Sequence, residues 1–182
     1  MQEVAAVGQQ VLSKGFPDRH AEIENRLAVL SRVPLFGGMP AEVLRRLAEQ
    51  LLERSCAAAE IICRHGDAGD CMYFIGSGKV VVTLPGEGGR DVILAEIGQA
   101  EFFGEMSLLD GQPRSASVTA LEPTSLLALG RDDFLGFLSD HRQALNNLLV
   151  TLSLRLREAD QRIQAMAKQT AQSALAASSS AS

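Results

Sequence analysis

The stretch from Glu53 to Arg131 constrains the fold most, because it consists of short apolar runs separated by glycine, proline and aspartate. Runs of roughly four to eight residues bounded by such turn residues are typical of β-strands in all-β folds. The sequence predicts strands at 54–58, 60–64, 71–76, 79–84, 91–97, 114–120 and 124–129. We therefore expect a β-roll of the jelly-roll type, that is, a double-stranded β-helix.

Helices are predicted on both sides of this roll. Helical spacing of apolar residues predicts one helix at 20–31 and a second one with Pro40 at its first position. After Arg131 the pattern predicts a short helix through Leu138, and a much longer one from about Asp140. The fold class is thus mainly β with flanking α, comprising an N-terminal helical lead-in, the roll and a long C-terminal helix.

The long C-terminal helix carries a heptad pattern. Apolar residues recur in it at alternating steps of four and three, at Leu145, Leu149, Leu152, Leu156, Ala159, Ile163 and Met166. Such a pattern is typical of a coiled-coil seam, so it predicts a homodimer through this helix. The alternative is that the stripe packs on the chain's own roll, which Leu148 and Leu154 favour for its first half.

The segment from Phe103 to Val118 combines groups that suit a phosphate ester. Gly104 allows close approach of the backbone to a ligand, and the first N–H groups of a helical turn at Glu105–Leu109 can bind an anion. Arg114 adds a planar, permanently charged donor group, and Ser115 adds a hydroxyl. Because the Glu105 carboxylate repels phosphate, the ligand should also present a hydroxyl donor, such as a sugar.

This segment resembles the phosphate-binding cassette of the cyclic nucleotide-binding domain family. The matching residues are Phe103, Gly104, Glu105, Met106, Ser107, Leu108, Leu109, Pro113, Arg114, Ser115, Ala116 and Val118, whereas Ser117 stands where the family more often has Thr. The turn at Arg64–Asp67 and the strands at Met72–Ile75 and Lys79–Val82 extend the resemblance over about residues 33–140.

The resemblance implies roles for the cassette residues. Arg114 would pair with the cyclic phosphate and Glu105 would accept from the ribose 2′-hydroxyl. Gly104, Met106 and Ser115 would supply close contacts, and Phe103, Ser107 and Ala116 complete the expected site. Bound ligand should order the cassette so that Leu108 and Leu109 pack against the short helix around Phe134, Phe137 and Leu138.

The resemblance also bears on the identity of the nucleotide. A Thr at the position of Ser115 often accompanies selectivity for cyclic GMP, so the Ser favours cyclic AMP over cyclic GMP. If the long helix closes over the base, Asp160 and Ala159 fall near where family members contact adenine, and the Asp160 carboxylate could accept from the exocyclic amine; the alternative is a solvated helix residue. No cofactor is expected besides this ligand.

Other chemistries fit the sequence poorly. Cys63, His65 and Cys71 lack the spacing of a recognised zinc motif, and an iron–sulfur cluster needs four thiolates where the chain has three cysteines. The sequence contains neither a Gly-x-Ser-x-Gly elbow nor a P-loop. We therefore expect no metal site and no enzymatic activity.

The charge of the chain and its cysteine content bear on DNA binding and on its cellular location. The net charge of −5, from 22 acidic and 17 basic residues, disfavours DNA binding by this chain alone. The transcription factors of this family carry a helix-turn-helix domain after the dimer helix, and only a short segment rich in Ala and Ser follows it here. The odd number of cysteines and the lack of a signal or membrane-spanning segment predict a soluble, cytoplasmic protein.

The predicted organisation is a flexible arm at 1–19, a cyclic nucleotide-binding domain at 20–140, a dimerisation and lid helix at 141–172 and a disordered tail at 173–182. We expect a cyclic nucleotide sensor that signals through a conformational change to an unknown protein partner. One alternative is a degenerate roll that serves as an interaction module without binding nucleotide. Another is a regulatory subunit of a separately encoded enzyme or transporter.

Overall fold

Two four-stranded antiparallel sheets form the β-roll in the computed structural model, which describes residues 19–179. The strands are β1 Leu52–Cys56, β2 Ile61–Cys63, β3 Cys71–Ser77, β4 Val80–Leu84, β5 Val92–Ile97, β6 Phe102–Phe103, β7 Ser117–Ala120 and β8 Thr124–Gly130. The first sheet has the order β1-β8-β3-β6 and the second β2-β7-β4-β5. The predicted β-roll is confirmed.

The alternation of side chains along β3 divides the core into two clusters. Met72 and Phe74 belong to a cluster that the helices cover, whereas Tyr73 and Ile75 belong to the cluster between the two sheets. Successive side chains of a strand point to opposite faces, so a strand covered on both sides is apolar throughout. This is why β3 reads as an almost continuous apolar run rather than an alternating one.

Within residues 19–179, five α-helices flank the roll. They are α1 Arg19–Leu30, α2 Ala41–Gln50, α3 Glu105–Asp110, α4 Arg131–Asp140 and α5 Arg142–Ser179. The start of α5 is fixed to the lead-in, because the Asn147 side-chain amide donates to the carbonyl oxygens of Leu35 and Gly37 at 3.0 Å each. The α2 helix begins one residue later than predicted, with Pro40 as its extended N-cap residue.

Three strand assignments differ from the prediction. Strand β1 spans Leu52–Cys56 rather than 54–58, because a turn follows it in which the Glu60 N–H donates to the Ala57 carbonyl at 3.1 Å. Strand β6, Phe102–Phe103, was not predicted, because two residues are too few to show a periodic pattern. Strand β7 begins at Ser117 rather than at 114, because the backbone of Arg114 bonds to a turn instead of a neighbouring strand. Its N–H donates to the Asp67 carbonyl at 2.7 Å, and its carbonyl accepts from the Gly66 N–H at 2.9 Å.

The C-terminal end of the chain also differs from the prediction. Helix α5 continues to Ser179, whereas a disordered tail was expected from residue 173. Alanine has the highest intrinsic helix propensity, so a segment rich in Ala can extend a helix without any apolar face. Residues 1–18, which hold nearly all of the predicted flexible arm, and 180–182 lie outside the described residues. Between residues 19 and 179, no helix is both long and apolar enough to cross a membrane.

Candidate ligand-binding site

The cassette begins at Gly104, which connects β6 to α3 in the left-handed conformation, with φ = +86°. A Cβ atom at this position would lie 2.6 Å from Nη1 of Arg114. Both the backbone angle and the proximity of the guanidinium therefore require glycine here. The α3 helix then places Glu105 and Ser107 in the interior, where both are buried.

Arg114 is fixed by the backbone of the roll. Its side chain is buried, with the residue 5% exposed, and its guanidinium donates from Nη1 to the Gly104 carbonyl at 3.0 Å and from Nη2 to the Cys71 carbonyl at 2.7 Å. Its Nε is buried and makes no hydrogen bond to any described residue. A buried donor without an acceptor costs about 1–3 kcal/mol, so the position favours an acceptor in the adjoining cavity.

Gly69 brings a third part of the roll against this arginine. A Cβ atom at Gly69 would lie 2.4 Å from the Cβ of Ser107 and 3.2 Å from Nε of Arg114. The missing side chain thus lets the loop before β3 pack directly on the cassette. On its other side, the guanidinium carbon lies 5.9 Å from the centroid of the Tyr73 ring.

Glu105 is held from the long helix. The residue is 3% exposed, and its carboxylate accepts from Nη1 of Arg155 at 2.9 Å. Nη2 of Arg155 donates to the Phe102 carbonyl at 2.6 Å, and its guanidinium carbon lies 4.6 Å from the Phe102 ring centroid. A buried carboxylate needs such a partner, because desolvation of an unpaired charge is costly.

Arg155 was not among the predicted site residues, although the sequence contains a signal for it. Arg155 follows Leu148 by two helical turns, so the two side chains lie on the same edge of α5. Leu148 is buried against the lead-in. An arginine on the packed edge of this helix was therefore a candidate partner for the acidic residue of the cassette.

The cassette residues line one cavity of about 110 Å³. Predicted site residues in its wall are Phe103, Gly104, Glu105, Met106, Ser107, Arg114, Ser115 and Ala116. Asp160 is exposed on α5 and is not part of this wall. The charged residues of the wall are Glu105, Arg114 and Arg155, so two guanidinium groups face one carboxylate. Because Arg155 compensates Glu105, the positive charge of Arg114 remains available for an anion.

The second sheet contributes only uncharged side chains to the cavity wall, namely Cys63, Val82, Ile97 and Val118. Burial raises the pKa of the Cys63 thiol, so this side chain is neutral at physiological pH. Burial likewise raises the pKa of Tyr73, which stacks on Phe103 behind the cassette, to about 12. The cavity therefore combines a charged end with an uncharged surface suited to an aromatic ring.

A groove of about 340 Å³ between α2 and α4 is a poorer anion site. It is lined by three aspartates, Asp132, Asp133 and Asp140, together with His141 and Arg46. Carboxylates would repel a phosphate there. Within residues 19–179, no group of three or more His, Cys, Asp or Glu residues could hold a metal ion.

Comparison with known proteins agrees with this geometry. The family model for the cyclic nucleotide-binding domain matches residues 53–141. A cyclic nucleotide-binding domain from Methylobacillus flagellatus is 31% identical with a TM-score of 0.67, and the match covers 78% of this chain and 82% of that one. The N-terminal domain of a transcriptional regulator from Streptomyces coelicolor is 35% identical with a TM-score of 0.59, covering 74% and 94%.

The chain belongs to the cyclic nucleotide-binding domain family. Among full-length relatives, the cyclic AMP receptor protein of Thermus thermophilus is 41% identical over 127 residues, which cover 70% of this chain and 59% of that protein. The chain spans less than two thirds of the length of this relative and of the other full-length relatives that match it well. The family supports a cyclic nucleotide as ligand for the cavity formed by the cassette.

Proposed function

We propose that the chain is a cyclic nucleotide sensor that prefers cyclic AMP and transmits binding to a protein partner through a conformational change. The observation that carries this proposal is Arg114, a buried cation fixed by two backbone carbonyls, whose buried Nε makes no bond to a described residue. A phosphate oxygen in the cavity would accept from this donor. Charge-assisted hydrogen bonds of this kind are the strong ones in proteins.

Glu105 supports the same ligand at its sugar. A carboxylate has about four acceptor sites, so the bond from Arg155 leaves capacity for a ribose 2′-hydroxyl. The cation on Arg155 also removes the repulsion that a bare carboxylate would exert on the phosphate. This arrangement suits a ligand that carries an anion and a hydroxyl side by side.

The preference for cyclic AMP rests on Ser115 of the cassette and on the ligands of related proteins. Ser115 stands where Thr often accompanies cyclic GMP selectivity, and its hydroxyl lies 3.6 Å from the Met106 sulfur. The relative from Thermus thermophilus is named a cyclic AMP receptor protein, and a 28% identical protein kinase A regulatory domain from Toxoplasma gondii was crystallised with cAMP. A contact from Asp160 to adenine stays a prediction, since it requires α5 to move closer.

The expected partner includes a second copy of this chain. Leu149, Leu156 and Ile163 of α5 recur at heptad spacing and are 56%, 64% and 65% exposed. Exposed leucine and isoleucine in such a row favour a coiled coil with another helix. The three free cysteines suit a reducing compartment, and we place the protein in the cytoplasm on that basis.

Calorimetric titration with cyclic AMP, cyclic GMP and linear 5′-AMP tests the proposal. We expect saturable binding of cyclic AMP to one site per chain, weaker binding of cyclic GMP and little binding of 5′-AMP. Tighter binding of cyclic GMP would overturn the preference. Absence of binding by either cyclic nucleotide would instead indicate a degenerate roll that retains the fold for protein interaction.

A further inference from the structure

Helix α5 presents two different edges. With Leu149 at heptad position a and Leu152 at position d, Leu148, Arg155 and Arg162 fall at position g. All three contact the rest of the same chain: Leu148 is buried against the lead-in, Arg155 bonds to Glu105, and Arg162 donates to the Leu94 carbonyl of β5. Leu149, Leu156 and Ile163, at the a positions, are exposed, as is Met166 at a d position, whereas Leu152 at a d position is partly buried on the core. The g edge thus lies between the nucleotide site and the expected dimer seam.

The charges beside the seam favour one orientation of two helices. In a parallel coiled coil, a g residue lies beside the e residue of the partner that comes five positions later. For Arg155 that residue is Asp160, an exposed position on α5. The neighbouring g–e pairs are Leu148 with Ser153 and Arg162 with Ala167, which bring no like charges together. An antiparallel pair would instead bring the g positions, with their arginines, together.

We propose that in a parallel homodimer Asp160 of the partner subunit pairs with Arg155, so that Arg155 is shared between the nucleotide site and the dimer interface. This inference rests on the dimer of the proposed function. A guanidinium has five N–H donors, and the bonds to Glu105 and the Phe102 carbonyl use one each on Nη1 and Nη2. The Arg155 side chain is 32% exposed, so a carboxylate from outside can reach it.

Sharing one arginine couples the two binding events. Bound nucleotide would hold Glu105, and through it Arg155, in a single position. The entropy cost of immobilising the Arg155 side chain is then met once for both events, so nucleotide should tighten the dimer. By linkage, dimer formation should tighten nucleotide binding by the same factor.

A charge series at Asp160 in the full chain tests the pair, with the dimer constant measured by sedimentation equilibrium at low salt. We expect Asp160→Glu to leave the dimer constant unchanged. Asp160→Asn should weaken the dimer about threefold to tenfold, because it removes both of the Arg155–Asp160 ion pairs that form per dimer, and Asp160→Lys should weaken it further by repulsion. Glu158, an exposed acid two residues earlier at position c, provides the matched control. The same substitutions at Glu158 should change the constant less than twofold.

The same substitution in an Arg155→Gln chain tests whether the weakening of the dimer depends on Arg155. In the Arg155→Gln variant, the additional change Asp160→Asn should leave the dimer constant unchanged, because the guanidinium that would pair with Asp160 is already absent. Saturating cyclic AMP should tighten the wild-type dimer at least about fivefold, and Asp160→Asn should reduce that shift. Circular dichroism confirms that each variant keeps its helix content.

The outcomes separate this inference from the function on which it rests. A chain that binds nucleotide and dimerises, but whose Asp160 and Glu158 series give equal constants, overturns the shared pair alone. An equal nucleotide shift in wild type and Asp160→Asn overturns the coupling. A chain that is monomeric at all concentrations overturns both the proposed dimer and the pair.

Discussion

Arg114 and Glu105 are both almost completely buried in the same cavity, yet different parts of the chain hold them. The acceptors of Arg114 are the carbonyl oxygens of Gly104 and Cys71, which belong to the roll. The partner of Glu105 is the side chain of Arg155, on a helix fifty residues further along. Movement of α5 can therefore release Glu105 but not Arg114. The phosphate end of the site is part of the roll, whereas the sugar end depends on the position of α5.

A second path joins the cassette to α5 through the core. Leu108 of α3 is fully buried in the same cluster as Phe134, Phe137 and Leu138 of α4, and α4 leads directly into α5. Leu109, which was expected to pack there as well, is 39% exposed. The cassette is thus connected to α5 by one apolar contact surface and by one ion pair.

The largest expected effect is the loss of cyclic AMP affinity in Arg114→Ala. Loss of a charged hydrogen bond is worth about 1.5–3 kcal/mol, so the affinity for cyclic AMP should fall at least about 10-fold. The docking of α5 should not change, because Arg114 makes no bond to that helix. Calorimetry measures the affinity, with Arg90→Ala, an exposed arginine near β5, as the control. An unchanged affinity in Arg114→Ala would remove this residue from the site.

Arg155→Ala should reduce the stability of the fold more than it reduces the affinity for nucleotide. It leaves Glu105 buried without its cation, and we expect the free energy of unfolding to fall by about 1–3 kcal/mol, with a smaller loss of nucleotide affinity. Urea denaturation measures the stability. Arg157→Ala, two residues later and exposed, should cost less than about 0.5 kcal/mol. Equal stability of the two variants would show that the ion pair does not hold the helix.

The smallest expected effect concerns Cys63, in the part of the cavity wall that the second sheet forms. Because burial raises the pKa of its thiol, alkylation by iodoacetamide should be slow at pH 7 and should still be accelerating above the usual thiol range. Cyclic AMP should slow the labelling several-fold, since Cys63 lines the cavity. Cys56, buried in the core and not part of that wall, serves as the internal control. Equal protection of both cysteines would point to global stabilisation rather than occupancy.

Much of this architecture could be predicted from the sequence, and the failures have physical causes. The roll and cassette were accessible because turn residues bound the strands, and because Gly104, Glu105 and Arg114 combine in a specific order. The backbone hydrogen bonds of Arg114 to Asp67 and Gly66 could not be predicted from the sequence, because they join segments that are distant along the chain. The pairing of Glu105 with Arg155 could not be predicted either, because the local sequence does not show which face of the helix contacts a buried acid.

Amide hydrogen exchange with and without cyclic AMP tests most directly whether the site and α5 respond together. We expect slower exchange in 103–116, where the ligand binds, and also in the remote segment 131–160, which Leu108 and Arg155 connect to the cassette. The ligand can shift α5 only through a difference in affinity between the two arrangements, and a hundredfold difference is worth about 2.7 kcal/mol. Slower exchange confined to 103–116 would contradict the account, because nucleotide would then bind without affecting the helix.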